Sequence, residues 1–329
     1  MRVLVAGHWQ GATPSHDPSA VAALGAVGEG FRAERGDWDV DLVPFGPSRA
    51  FTEALAGVPG HPWAPIVVEA WEATTGRAGE AALAALHAGL VPVVEGGHTI
   101  DVDAGLGFLG ALLGEKVTRE RVVAGDLGAA LVRARRALAG RDLVAAASTT
   151  RPLLGLASTM AIGVDLGARP DQDRELTAAL VRAYSTVGTG HRGLPLAGGG
   201  DVDPSRLPGS GAAGGAAAVV AALGGRIVPT GTFLADTLGL DGRAAECDLV
   251  VVLEPHLDSP RLAEALLDSI TGAAAAHALP VVALGVDSTL SPHEAAQWGI
   301  HGVVTTPAGP EALRNAGSRI AHTWAPGCG

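Results

Sequence analysis

The sequence predicts an α/β protein of two domains, one assembled from both ends of the chain around a parallel sheet and the other inserted between them. Three observations predict this. The chain has 329 residues, beyond the roughly 250–300 at which a single core stops growing. It is 47% hydrophobic with 47 glycines, a composition that suits a glycine-punctuated α/β fold and argues against disorder. Its C-terminal part alternates short apolar runs with helical stretches, and three β-α units in succession imply parallel strands.

At the N-terminus, Arg2 to Ala6 (RVLVA) is a β-rich run. The alanine-rich stretch Pro18 to Phe31 then reads as a helix that Asp17 caps, with Pro18 in its first turn. Asp39 to Phe45 (DVDLVPF) is a second strand, and Ser48 to Ala56 a short helix. Turn residues gather from Gly57 to Pro65, which places a domain boundary there. The middle of the chain offers strands at Pro65–Trp71, Leu90–Val94 and Asp142–Ser148, and helices at Ala78–Ala88 and Asp171–Tyr184. Gly188 to Gly215 is a long glycine-rich loop. The closing rhythm runs through strands Asp248–Leu253, Pro280–Gly285 and Gly302–Thr306, with helices Pro260–His277, Ser291–Trp298 and Gly309–His322. Joined to the two N-terminal strands, these make a five-stranded, flavodoxin-like domain of residues 1–58 and 246–329, split by an α/β insertion over 59–245.

The formal charge is −11, and the 22 arginines and one lysine, Lys116, form no basic stripe. Nucleic acid is therefore not an expected partner, and an anionic substrate needs local compensation. Two cysteines, Cys247 and Cys328, suit a reducing compartment. Met1 and Arg2 lead straight into a short strand without a cleavable leader, and the longest small-apolar run, Ala212 to Leu223, is too short to span a bilayer. A cytoplasmic protein with no membrane segment is the expectation.

Four stretches together carry a resemblance: GGHTIDVDAGLGFLGALLG (Gly96 to Gly114), RPLLG (Arg151 to Gly155), GSGAAGG (Gly209 to Gly215) and DLVVVLEPHLD (Asp248 to Asp258). In order and spacing, the chain resembles the bacterial glycerate kinases, whose members combine a split flavodoxin-like domain with an inserted restriction-enzyme-like domain. The resemblance implies transfer of the γ-phosphoryl group of ATP, with Mg²⁺, to a hydroxyl of glycerate or a related small hydroxy acid. A homo-oligomer is compatible with it. The alternative is a catalytically degenerate homologue that binds a small anion or regulates.

Phosphoryl transfer depends on positioning and electrostatics, so backbone amides near phosphate, acidic metal ligands and cationic clamps are the residues to seek. Gly209, Ser210, Gly211, Gly214 and Gly215 open an alanine-rich helix whose amides are suited to a phosphate, or else form a tight turn for close packing. Gly96 and Gly97 align with the family's Gly-Gly loop. Asp103 aligns with its acid, as a Mg²⁺ ligand or hydroxyl-orienting group, or as the cap of a helix beginning near Ala104. His98 and Asp101 lie in the same loop. Glu254 and Asp258 match acidic positions just past a strand's carboxyl end, where open α/β sheets place ligands; Asp258 or Ser259 is also placed to cap a helix starting at Pro260.

Several positions depart from the family. Its aspartate after the first strand is His8 here, a candidate base or phosphate ligand, or a structural histidine, followed by Trp9. The family's glycines flanking the acid are Leu253 and Pro255. Two aspartates and an asparagine before PLLG are Ser148, Thr150 and Arg151. Gly163 to Gly167 lacks the usual lysine. Arg49, Arg151 and Arg192 are candidate replacement cations, or plain surface charges.

Overall fold

The computed structural model describes residues 1–10, 18–97, 103–161, 170–188, 202–258 and 266–324. His98, Asp101, Arg192, Gly163–Gly167 and the proposed caps Asp17 and Ser259 lie outside the described residues.

In chain order, the opening segment forms β1 (Arg2–Gly7), α1 (Ala20–Glu34), β2 (Asp39–Pro44) and α2 (Arg49–Ala56). The middle forms β3 (Trp63–Val67), α3 (Gly76–His87), β4 (Val91–Gly96), α4 (Leu106–Leu113), α5 (Arg119–Val123), α6 (Leu127–Ala137) and β5 (Val144–Ala147). It continues through α7 (Pro170–Val187), two 3₁₀ turns, α8 (Ala216–Ala222) and β6 (Arg226–Pro229). The closing segment is α9 (Thr230–Leu238), α10 (Leu240–Ala245), β7 (Leu249–Leu253), β8 (His256–Leu257), α11 (Leu267–Ala276), β9 (Val281–Gly285), β10 (Asp287–Ser288), α12 (Pro292–Gln297), β11 (Gly302–Thr305) and α13 (Pro310–Thr323).

Two compact units emerge, Met1–Pro59 with Gly231–Gly329, and Gly60–Thr230. In the first, five parallel strands lie in the order β11-β9-β7-β1-β2. Counted within the unit this is 2-1-3-4-5, the flavodoxin-like order. The central strands are unbroken apolar runs because both faces are covered; Val3–Ala6, Leu249–Val251 and Val282–Leu284 are fully buried. Over one face α1 and α13 cross so closely that a Cβ on Gly30 would collide with the Arg314 carbonyl, and one on Gly317 with the Val27 carbonyl. The sequence boundary after residue 245 assigns α9 and α10 to the insertion, but they belong to the first unit. Phe233 stacks on Phe51 with centroids 5.9 Å apart, and Arg243 donates two 2.8 Å bonds to Asp41 of β2. The α1 cap is Ser19, whose hydroxyl accepts from Ala22 N–H.

The second unit carries four parallel strands in the order β3-β4-β5-β6. Its core surrounds α8, which is apolar on every side and buried along its whole length, as a helix with no polar face must be. Strand β6 escapes sequence reading because it is four residues long, half exposed and ends on a proline, features that mark sheet edges rather than cores.

Candidate functional site

In the first unit, β1 and β7 are adjacent and end side by side, which brings His8 and Glu254 together. His8 Nε2 lies 2.9 Å from Glu254 Oε2, and its Nδ1 accepts the Gln10 N–H at 3.2 Å. Burial opposes the imidazolium, and the Glu254 carboxylate more than offsets that by its charge and its hydrogen bond, so His8 titrates above its ordinary value. The ring is walled in. A Cβ on Gly46 would lie 2.6 Å from it, and the void beside it, lined by Phe45, Leu266 and Ile270, holds about 10 Å³. That is about one water and no hydroxy acid. The catalytic expectation for these two residues thus meets a closed, hydrogen-bonded pair in which both imidazole nitrogens are engaged. Trp9 is buried, and Asp258 follows β8, half-buried.

In the second unit, Asp103 sits at the mouth of α4 with its carboxylate saturated by protein donors. It accepts from Thr74 Oγ1 at 2.9 Å, Thr75 N–H at 2.8 Å, Thr75 Oγ1 at 2.9 Å, Gly105 N–H at 3.0 Å and Gly107 N–H at 3.1 Å. Thr75 Oγ1 in turn accepts Phe108 N–H. The group therefore ties the start of α4 to the start of α3, and Mg²⁺ would have to displace one of these donors. Its observed role is thus that of a cap, the other reading the sequence offered for it. Among the described residues, no three His, Cys, Asp or Glu side chains gather as a metal-binding group.

The glycine loop is likewise engaged. Gly209 N–H donates to Thr150 O, Ser210 N–H to Leu207 O, Gly211 N–H to Arg151 O, Ala213 N–H to Gly97 O and Gly215 N–H to Ala212 O. The Ser210 hydroxyl accepts Leu153 N–H and donates to Ser205 O. Ala213, Gly214 and Gly215 follow one another at positive φ, 52°, 64° and 91°. This turn delivers α8 into the core with close backbone contacts: a Cβ on Gly96 would lie 2.9 Å from Ala213 Cα, and one on Gly215 2.7 Å from the Ala104 carbonyl carbon. The N–H groups of Gly209, Ser210, Gly211, Ala213 and Gly215 are thus committed to the protein, as in a packing turn, where the sequence suggests a phosphate cradle. Gly97, unlike Gly96, Gly209, Gly211 and Gly215, has open space around its Cβ direction, and Arg151 is half-buried beyond β5.

Sequence reasoning missed Glu95. It is the penultimate residue of β4, 1% exposed, and accepts the Ser148 hydroxyl at 2.5 Å. Ser148 Oγ also lies 2.9 Å from the hydroxyl of Thr230, itself fully buried. With one proton per hydroxyl, the consistent assignment runs from Thr230 to Ser148 to Glu95. These residues follow or end β6, β5 and β4, so the relay lies across the carboxyl edge of the parallel sheet. The signal was present: a lone carboxylate inside the apolar run VPVVEGG. A buried carboxylate is rare unless hydrogen-bonded and often functional.

No helix among the described residues is long and apolar enough to cross a membrane. Two uncharacterized mycobacterial proteins, from Mycobacterium bovis and Mycobacterium tuberculosis, are each 29% identical over 212 residues, covering 63% of this chain and 48% of their own. The match thus spans about half the length of these curated relatives. A crystal structure of a provisionally designated glycerate kinase 2 from Salmonella typhimurium superposes with a TM-score of 0.69 at 22% identity, covering 98% of both chains, and so shares the fold. The glycerate kinase family model matches residues 52–325, and the chain belongs to that family.

Proposed function

We propose that this protein phosphorylates glycerate or a related small hydroxy acid at the expense of ATP, with the chemistry at the carboxyl edge of the inserted unit's sheet. Family membership supplies the reaction class. The observation that carries the reading within the structure is the buried Glu95 carboxylate with Ser148 and Thr230 aligned on it. Ligands of open parallel sheets lie at this edge.

In this reading a substrate hydroxyl approaches Ser148, which is half-buried and so accessible, whereas Glu95 is not. As its oxygen bonds to the γ-phosphorus and the bridging P–O bond to ADP breaks, the hydroxyl proton passes through Ser148 to Glu95. A positioned base of this kind contributes about 10²–10⁴ in rate. Arg151, three residues after Ser148, is the nearest guanidinium in sequence for phosphate charge, and arginine binds phosphate in a bidentate fork. Mg²⁺, which commonly reaches such sites through substrate phosphates and one or two carboxylates, supplies charge neutralisation when bound. The protein donors already on Asp103 speak against it as the ligand.

The test is ADP release, coupled to a dehydrogenase signal, with Mg-ATP and a panel of hydroxy acids that includes glycerate. Turnover with at least one acid is expected. Absence of turnover across the panel with folded protein rejects the kinase reading and favours a non-catalytic homologue.

A further inference from the structure

Of the closed His8–Glu254 pair, the surface groove beside Lys116 and the cavity along β6, only the last combines volume, shape and unmatched backbone polarity. From it we infer that the inserted unit binds the adenine and ribose of its nucleotide between β6 and the turn at Leu207–Gly209. The inference rests on the kinase reading, and it names where the nucleoside goes.

The cavity holds about 520 Å³ and is lined in part by Ala147, Ile227, Leu207 and Pro208, within the size range of small-ligand sites. Gly209 sets its shape: a Cβ there would lie 2.8 Å from Ala147 Cβ and 3.1 Å from Ile227 Cγ2. The turn therefore packs directly on the strands, and the cavity lies beside that contact with a largely aliphatic lining. Such a lining alone would accept any apolar molecule. The edge strand adds the selectivity. Arg226 N–H bonds Leu143 O on β5, and residues of a parallel strand alternate in the neighbour they address. Ile227 consequently turns its N–H and C=O away from β5, side by side, with no partner among the described residues. An adjacent donor and acceptor match the N1 and 6-amino edge of adenine. A further protein strand is poorly served by the same edge, because Pro229, the next outward residue, has no N–H to offer.

The cavity also points the right way. Thr149 and Pro229 line it and are the chain neighbours of Ser148 and Thr230, so one end opens where the Glu95 relay lies. A nucleoside whose base rests on Ile227 directs its 5′ oxygen toward Thr149, Thr150 and the carboxyl edge.

The experiment is calorimetric titration of the full chain with adenosine and with ADP, without a hydroxy acid, together with amide hydrogen exchange over residues 225–229. Saturable adenosine binding and slowed exchange at Ile227 are expected. Leu207→Trp, which fills the cavity, and Val202→Trp, on its exposed rim and tolerant of a larger side chain, should each raise the adenosine Kd by about tenfold or more with the Tm kept. Adenosine binding unchanged in both variants, no binding at all, or preferential binding of an uncharged apolar dye that adenosine does not displace overturns the inference. The two readings fail separately. Turnover without protection of 225–229 sinks the nucleoside site and leaves the kinase, whereas adenosine held at Ile227 without turnover does the reverse.

Discussion

The Glu95 carboxylate, 1% exposed at the end of β4, accepts the Ser148 hydroxyl at 2.5 Å across the neighbouring strand β5. Two residues 53 positions apart thus form one polar unit in an otherwise apolar sheet. An acceptor in such surroundings is costly to leave unmatched, which makes the pair informative to disrupt.

Glu95→Gln keeps the shape and removes the base. It should lower kcat by about 10²–10⁴-fold with little change in KM. Ser148→Ala should lower kcat as well, with the double variant no worse than about the poorer single one, as for residues acting as a unit. Steady-state kinetics with the panel acid of highest turnover checks both; additive losses would reject the relay.

His8→Gln probes the closed pair of the first unit. The folded pKa of His8 is raised above its unfolded value of 6.5, so its contribution to stability is full below about pH 6.5. It is lost as pH rises through the folded value. The Tm gap between the parent protein and the variant should therefore be larger near about pH 6 than near about pH 9, as measured by calorimetry. Activity should survive, since a 10 Å³ void admits no substrate.

Asp103→Ala removes an acceptor shared by Thr74, Thr75, Gly105 and Gly107. Loss of a cap plus buried donors left unmatched should cost about 2–4 kcal/mol, seen as a lower urea midpoint. Asp103→Asn, which retains one acceptor oxygen, should cost less. If Asp103 instead holds Mg²⁺, the Asn variant will raise the Mg²⁺ requirement of turnover while leaving the midpoint near that of the parent.

Gly215→Ala places a methyl 2.7 Å from the Ala104 backbone at φ +91°. Strain and overpacking together should cost about 2–4 kcal/mol. Gly97→Ala, where nothing lies within 4 Å, should leave stability within about 0.5 kcal/mol of the parent. Chemical denaturation of the two variants separates a packing turn from a phosphate cradle, because a cradle at 209–215 would make the first change register mainly in the KM for ATP.

By itself the sequence determined the fold class, the strand-helix rhythm and the family. Apolar runs such as Leu249–Leu253 and Val281–Gly285 are buried on both faces wherever they stand, so local pattern suffices to identify them. It also placed His8 and Glu254 each just past the carboxyl end of a strand, and the pairing of β1 with β7 then sets them side by side. Only the tertiary structure decided what the polar residues do. Whether the amides of Gly209–Gly215 face a ligand or the carbonyls of Thr150, Arg151 and Gly97 depends on partners distant in the chain. Asp103 is engaged by Thr74 and Thr75, 29 and 28 residues away, and Glu95 acquires its meaning from Ser148, just past the next strand. Hydrogen bonds are directional and short-ranged, so the free or occupied state of a polar group is settled by packing, whereas hydrophobic burial can be read from periodicity along the chain.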